Sequence, residues 1–480
     1  MHGFYEQQLV VLTSFCLLSL LIDRHVTRRK SIKAADDSLE QGIPATSESK
    51  SLATLTRQYL VVYGVVMGAD WLQGPYVYSL YREQYGFPER IVAILFVTGF
   101  MSAGLAAPFV GVYADQHGRK RICLLFCITY ALSCVLILVP WLPVLLFGRI
   151  LGGISTSILF SVFESWLVSA STSLLLPQSD ISVIMGRATL LNGFVATGAG
   201  VVSNEIVSIS SSFASPFIAS GALLMLAWGL MRVSWIENYG GGGGTTDDDW
   251  DIFQTTRLRQ AWNIVRLDTL LLTLGLTQTC FEGSMYLFVF LWVPSLQEAS
   301  ESPELLPLGY IFSSFMLSMM LGSLLYTAIV SHPPSPSAAT GSVDSLLTTH
   351  AKLSSMVSAV SALALAVSVT FPDEKIRFWA FCTFEACVGM YYPVQGTLRG
   401  FLITNEHRAT RVKVELIKGF QLSALFRVPL NVFVVVSLLT GVSSARYAVL
   451  TACTLMLAFS SVVTGAVIVK RSDEGNQRPA

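Results

Sequence analysis

Long apolar runs, cut by short clusters of proline, glycine and charge, organise almost the whole chain. A helix that crosses a bilayer needs about 20 mostly apolar residues, and inside lipid only helices or closed barrels satisfy their own backbone groups. The runs here are long and continuous, which selects helices. The breaks place six segments near residues 57–81, 90–113, 121–139, 142–170, 185–207 and 214–234. Six more follow near 268–295, 305–330, 351–371, 376–400, 413–439 and 446–469. The pattern predicts an all-α polytopic membrane protein of two six-helix bundles.

An additional apolar stretch, Leu9–Ile22, precedes this core, and Arg24, Arg28, Arg29, Lys30 and Lys33 follow it. It lacks a basic region ahead of it and a small-residue cleavage site behind it, so it reads as a retained anchor helix with a cytoplasmic positive flank. Its length leaves interfacial lodging open beside a full span. The expected organisation is an anchor helix over 1–23, a basic and polar cytoplasmic segment over 24–56, and an N-terminal bundle over 57–235. A cytoplasmic linker over 236–267, a C-terminal bundle over 268–470 and a cytoplasmic tail over 471–480 complete it. Within the linker, Glu237 to Arg266 carries the glycine run Gly240–Gly244 and the acidic run Asp247–Asp249, the composition of a solvated tether. Two equal helix sets joined by a polar loop outline a transporter built from a duplicated repeat.

Composition narrows the function classes. Of the 480 residues 52% are apolar and only 13% charged, and the mean hydropathy is +0.59, whereas soluble domains run at roughly 25% charged. A soluble enzyme is excluded on this ground. Lys plus Arg and Asp plus Glu are 31 each, so there is no basic footprint for nucleic acid. The eight cysteines, Cys16, Cys123, Cys127, Cys134, Cys280, Cys382, Cys387 and Cys453, lie in or beside apolar runs and form no disulfide framework. Cys123 and Cys127 are one helical turn apart, but no histidine falls inside the segments drawn above, so no metal site is expected. No nucleophile elbow or phosphate loop is present, and neither enzymatic activity nor a cofactor is expected.

Lys and Arg divide unevenly between the two sides of the twelve segments. One side, holding residues 23–57, the even-numbered loops and the C-terminus, carries 24 of the 31. The opposite loops hold Arg82, Arg90, Lys375, Arg377 and Arg446, and Arg149 and Arg427 fall within segments. The excess places both core ends and the linker in the cytoplasm.

The costliest residues mark the pathway. A charged side chain at a helix centre costs roughly 2.5–3.5 kcal/mol on insertion scales, yet this chain retains Asp70, Arg149, Glu164, Glu282, Glu385 and Arg427 in its segments. Gln278, Glu282 and Tyr286 share one face of the seventh segment, and Asp70 and Gln73 share one face of the first. Asp70 to Tyr78 and Glu282 to Tyr286 both place an acid ahead of small residues and then tyrosine, an echo expected of symmetry mates.

Between segments two and three, Gly111-Val-Tyr-Ala-Asp115-Gln-His-Gly118-Arg119-Lys120-Arg121 resembles the signature loop of the major facilitator superfamily. The resemblance implies the major facilitator fold, and a gating role for this loop carried by Gly111, Asp115, Gly118, Arg119 and Lys120. Phe147-Gly148-Arg149 with Gly152-Gly153 is similar to a second superfamily pattern that turns Arg149 toward a central cavity. Gly193 to Gly200 lacks the Gly-Pro pair of drug-exporting antiporters. Ala69-Asp70-Trp71-Leu72-Gln73-Gly74-Pro75-Tyr76, Phe160 to Trp166, Phe288 to Pro294, Ile311 to Met316 and Phe426 to Leu430 resemble the molybdate-anion transporter family within that superfamily.

That resemblance implies uptake of molybdate, a tetrahedral divalent oxyanion, by alternating access. Such a substrate wants cationic forks and neutral donors, and Arg149 and Arg427 with Gln73, Gln278, Asn192 and Tyr76 supply both types. Glu164, Glu282 or Glu385 is the expected resting partner of the arginines. A co-transported proton would rest on Asp70, Glu282 or Glu385. The partners expected are thus molybdate or a related oxyanion, the lipid bilayer and a proton, with the plasma membrane as the default location and an internal membrane as the alternative. Another small anion such as sulfate, an organic solute, and a transport-inactive scaffold or sensor are the competing readings.

Overall fold

The computed structural model of the protein describes residues 2–39, 48–240, 269–300, 305–331, 343–405 and 446–469. Helices α1 (His2–Leu39), α2 (Glu48–Gln73), α3 (Glu89–His117), α4 (Arg119–Leu136), α5 (Leu142–Leu159), α6 (Val162–Ser173), α7 (Gln178–Ser210) and α8 (Ser215–Ser234) come first. Helices α9 (Thr269–Ala299), α10 (Leu308–Ser331), α11 (Val343–Thr370), α12 (Glu374–Asn405) and α13 (Arg446–Val463) follow, α13 ending in the π-helical turn Thr464–Val469. No strand occurs among the described residues, and nine of their helices are long and apolar enough to cross a membrane. The expected segment at 413–439, most of the linker and the tail over 471–480 lie outside the described residues.

Local sequence explains where the elements depart from the expected segments. Helix α1 continues past Asp23 to Leu39, because charge alone does not end a helix and no Gly or Pro interrupts the chain between Gly3 and Gly42. Helix α2 stops at Gln73, where Pro75 removes a backbone donor, and continues as a 3-10 turn (Gly74–Tyr76), one α-turn (Val77–Ser79) and a π-turn (Leu80–Gln84). The segment expected as one helix over 142–170 is two, α5 and α6. Ser155, Thr156, Ser161 and Ser165 each donate to the carbonyl four residues back, at 2.7–3.0 Å, and such back-bonding competes with the ladder and bends helices.

The chain forms two compact units, Met1–Asp249 with Pro307–Leu317, and Trp250–Leu306 with Ser318–Ala480. In the first, α4 turns Cys123, Phe126, Cys127, Tyr130 and Cys134 inward, and Phe126 meets Phe163 edge to face at 5.3 Å. Trp166 stacks on Trp235 at 3.8 Å, and Trp235 faces Tyr59. Lipid tails are as apolar as these side chains, so it is close van der Waals packing, not removal from water, that holds helices together in a bilayer. Small residues permit that approach. A Cβ built on Gly153 of α5 would lie 1.9 Å from Ser102 Oγ and 2.4 Å from Gly99 O on α3.

The first half of α10 belongs to this unit and crosses α7 the same way: a Cβ on Gly309 would lie 2.3 Å from Gly200 O. Ser313 donates to Thr197 O at 2.8 Å, and the Tyr310 hydroxyl donates to Glu205. In the second unit, α9 and α12 interleave aromatics. Phe281 stacks on Tyr391 at 3.8 Å, and Phe288 meets Phe381 edge to face at 5.0 Å. An apolar cluster around Leu270, Leu274, Ala351, Val394, Leu398 and Ile468 closes the other end of these helices.

Gly153→Val forces α3 and α5 apart, whereas Gly186, with nothing near its Cα position, accepts a methyl group. Thermal unfolding of purified protein should show Gly153→Val destabilised by about 1–3 kcal/mol or failing to fold, and Gly186→Ala unchanged. Equal behaviour of the two variants would contradict the crossing.

Candidate functional site

Within the first unit the break at Gly74–Pro75 gathers polar groups from four helices. Asp70 of α2 accepts from the Tyr130 hydroxyl of α4 at 2.6 Å. Gln73 Nε2 donates to Ser220 Oγ of α8 at 2.8 Å, and Ser220 passes its own hydrogen to Ala69 O at 2.6 Å. Trp71 Nε1 donates to Asn192 Oδ1 of α7 at 2.8 Å, and Tyr76 donates to Asn204 Oδ1 at 2.9 Å. Asp70, Gln73, Tyr76 and Asn192 are thus brought together through partners that sequence reasoning missed: Tyr130, Asn204 and Ser220. Tyr130 left a signal, a hydroxyl on the otherwise apolar buried face of its helix.

Arg149 lies in α5 one turn ahead of Gly153. Its guanidinium carbon is 5.1 Å from the Tyr81 ring centroid and 5.4 Å from that of Phe96. Nε and Nη2 are buried and make no hydrogen bond among the described residues, and neither Asp70 nor Glu164 forms an ion pair with it. A desolvated cation–π contact contributes about 2 kcal/mol, so two rings offset a membrane charge cost of roughly 2.5–3.5 kcal/mol and leave Nε and Nη2 unused. The expected resting pair with Glu164 is not formed. Glu164 is exposed in the first turn of α6, where the helix N-terminus favours a carboxylate.

The second unit holds its own polar face. Gln278 Nε2 donates to Glu282 Oε1 at 2.8 Å, and Tyr286 follows on the next turn of α9. Glu385 of α12 is 6% exposed and makes no hydrogen bond or ion pair among the described residues. Arg427 lies outside the described residues.

Two readings of cations need correction. Arg377, expected in an outer loop, is 2% exposed: Nη1 donates to Ser295 O at 2.5 Å and Nε to Ser368 O at 3.1 Å. It begins α12 and reaches the last turns of α9 and α11, where helix carbonyls attract a cation. His350, expected outside every segment, lies in the apolar span Leu347–Thr370 and is 2% exposed. Its helix starts at Val343, earlier than the polar residues ahead of Ala351 suggest.

The signature loop is the turn between α3 and α4. Arg119 Nε and Nη2 both lie 2.8 Å from Asp115 Oδ1. Gly118 has φ +102°, a backbone conformation that disfavours side chains, and a Cβ there would lie 2.7 Å from the Glu237 carboxylate carbon. That carboxylate accepts from the N–H groups of Lys120 at 2.8 Å and Arg121 at 3.2 Å, which caps the first turn of α4. Lys120 Nζ donates to Trp235 O at 2.6 Å, Arg119 N to Asn238 O at 3.0 Å and Gly240 N to Asp115 O at 3.1 Å. Gly111 lies on α3, two turns before the bend. Residues 236–240, expected to open the tether, are instead fastened to this loop, and Glu237 is the functional candidate that a flanking glycine run concealed.

Comparison with known proteins places this arrangement. Residues 36–369 match a major facilitator family model described as sugar transporters with 12 transmembrane segments. The molybdate-anion transporter of Takifugu rubripes is 32% identical over 412 residues, covering 81% of this chain and 78% of that protein. Those of Xenopus tropicalis and Danio rerio are 31% and 29% identical, over 86% and 90% of this chain and 86% of each relative. Among solved structures, a variant of the nucleoside transporter NupG superposes with a TM-score of 0.65 at 10% identity, over 86% of this chain and 98% of that one. That likeness carries the fold alone. The chain is a multi-pass, non-enzymatic membrane protein of the major facilitator fold, and it belongs to the molybdate-anion transporter family.

Proposed function

We propose that this protein is a secondary active transporter that carries molybdate across the plasma membrane by alternating access of its two six-helix halves. The observation that carries the reading is the buried fork of Arg149, a cation with unspent donors in a chain whose relatives are named for an oxyanion. A guanidinium presents parallel N–H groups that match two oxygens of a tetrahedral oxyanion, and the surrounding rings exclude water from the contact. Tyr130 and Gln73 are neutral donors in the same unit, and Asn192, whose Oδ1 accepts from Trp71, carries an amide NH2 as a further one. They are positioned to replace hydration without adding charge.

Molybdate carries two negative charges, so one arginine balances half of it. Arg427 and a co-transported proton are the proposed remainder, with Asp70, Glu282 and Glu385 as proton acceptors. Asp70 holds the Tyr130 hydroxyl while ionised; protonation frees that hydroxyl for the substrate. The Asp115 and Arg119 pair, braced by Glu237 and Gly118, is the proposed gating element, and Gly111 and Lys120 belong to the same turn.

Uptake of labelled molybdate into liposomes containing the full chain, with excess sulfate as competitor, tests the reading. Arg149→Lys keeps the charge but loses the fork, so the KM for molybdate should rise about ten- to a hundredfold at an unchanged melting temperature. Arg149→Ala transporting as the parent does would overturn it. Asp115→Asn should slow the maximal rate while stability moves by less than about 1 kcal/mol, as for an exposed pair. Glu237→Ala removes a helix cap and should cost about 0.5–2 kcal/mol by thermal unfolding, in addition to slowing transport.

A further inference from the structure

The buried His350 is part of a hydroxyl relay that links three helices of the second unit. Its Nε2 is 3.1 Å from the Tyr326 hydroxyl of α10, and that hydroxyl is 3.4 Å from Thr397 Oγ1 of α12. Thr397 donates its own hydrogen to Pro393 O at 2.8 Å, so it meets Tyr326 as an acceptor. Tyrosine has one hydrogen to give. While the imidazole carries its proton on Nδ1, His350 Nε2 and Thr397 Oγ1 compete for that hydrogen, and the shorter distance favours His350. Once both ring nitrogens are protonated, Nε2 becomes a donor and the Tyr326 hydrogen passes to Thr397. One proton therefore decides which helix Tyr326 holds.

The receiving end of the relay is mechanically distinctive. Pro393 stands inside α12 and removes the backbone bond to Gly389, so Thr397 is attached to the turn at which that helix yields most easily. The relay lies against the apolar cluster of Leu270, Leu271, Ala351, Val394, Leu398 and Ile468. The ionisable group that faces His350 from α10 is Tyr326. On α12 the next is Arg399, whose Nε bonds to Gln395 O at 3.4 Å, and on α11 Lys352 is exposed. Neither α9 from Thr269 to Thr279 nor the chain from Thr454 to Val469 carries an ionisable side chain.

We propose that His350 is a proton-binding site of this protein, read out through Tyr326 and Thr397 at the Pro393 turn of α12. The site's chemistry stands on this geometry, and its consequence for transport rests on the transporter reading above.

Two measurements on the purified full chain test it, each between about pH 5 and 8. The first is the imidazole resonances of isotope-labelled histidine in the parent and in His350→Gln, in detergent; the parent should show one protonating ring that His350→Gln lacks. Absence of such a ring overturns the proton site. The second is molybdate uptake into liposomes, where the parent should show a pH step that His350→Gln and Tyr326→Phe both lose. Tyr326→Phe should keep the protonating ring, because it breaks the relay and not the proton site. A step in uptake that survives either substitution overturns the relay. Absence of molybdate uptake by the parent at every pH would instead defeat the transporter reading, and the resonance series would still decide whether His350 binds the proton.

Discussion

A guanidinium inside an apolar span, with no carboxylate paired to it among the described residues, is the constraint around which the first unit is arranged. Tyr81 and Phe96 present their rings to the Arg149 guanidinium, and the Arg149 stem passes beside Gly99. Each of these depends on a feature elsewhere. Tyr81 is aimed by the change of helix type after Gly74–Pro75, and Phe96 and Gly99 are brought close by the crossing at Gly153. Were the crossing wider, ring contact would be lost and the buried charge would need another partner.

The same residue type meets the opposite fate in the second unit. Arg377 is more deeply buried than Arg149, yet it spends donors on Ser295 O and Ser368 O and rests 5.9 Å from the Tyr447 ring. A guanidinium bonded to carbonyls at helix ends fastens those ends together. Arg149, by contrast, leaves Nε and Nη2 without a hydrogen bond among the described residues. Arg446 repeats the fastening role more loosely, donating to Pro294 O at 3.2 Å and lying 3.4 Å from Glu298.

At the turn between α3 and α4, charge is used for geometry. The Asp115 and Arg119 pair is exposed on the carboxylate side, and such pairs contribute at most about 1 kcal/mol. Glu237 contributes more, since it satisfies N–H groups that a helix start leaves without partners. It reaches them because Gly118 has no side chain in the way. The loop and the first residues after α8 are thus one structural element, although they are separated by over a hundred positions in the chain.

Apolar run length determined the helical membrane fold, and the charges left inside those runs determined most of the candidate site, because both signals follow from the cost of polarity in lipid. Asp70, Gln73, Arg149, Asn192, Gln278, Glu282 and Glu385 were legible for that reason, and the glycine pattern around Gly118 and Gly153 was legible as motif. Partners were not. That Tyr130 serves Asp70, that Glu237 caps α4, and that no carboxylate among the described residues pairs with Arg149 depend on which faces meet across helices distant in sequence. Helix limits drawn on polarity also failed where polar residues continue a helix, as at Leu39 and Val343, and this alone hid His350. Periodicity and transfer cost are properties of a segment and can be read along the chain. The pairing of hydrogen-bond donors with acceptors is a property of packed surfaces, and only the tertiary structure decides it.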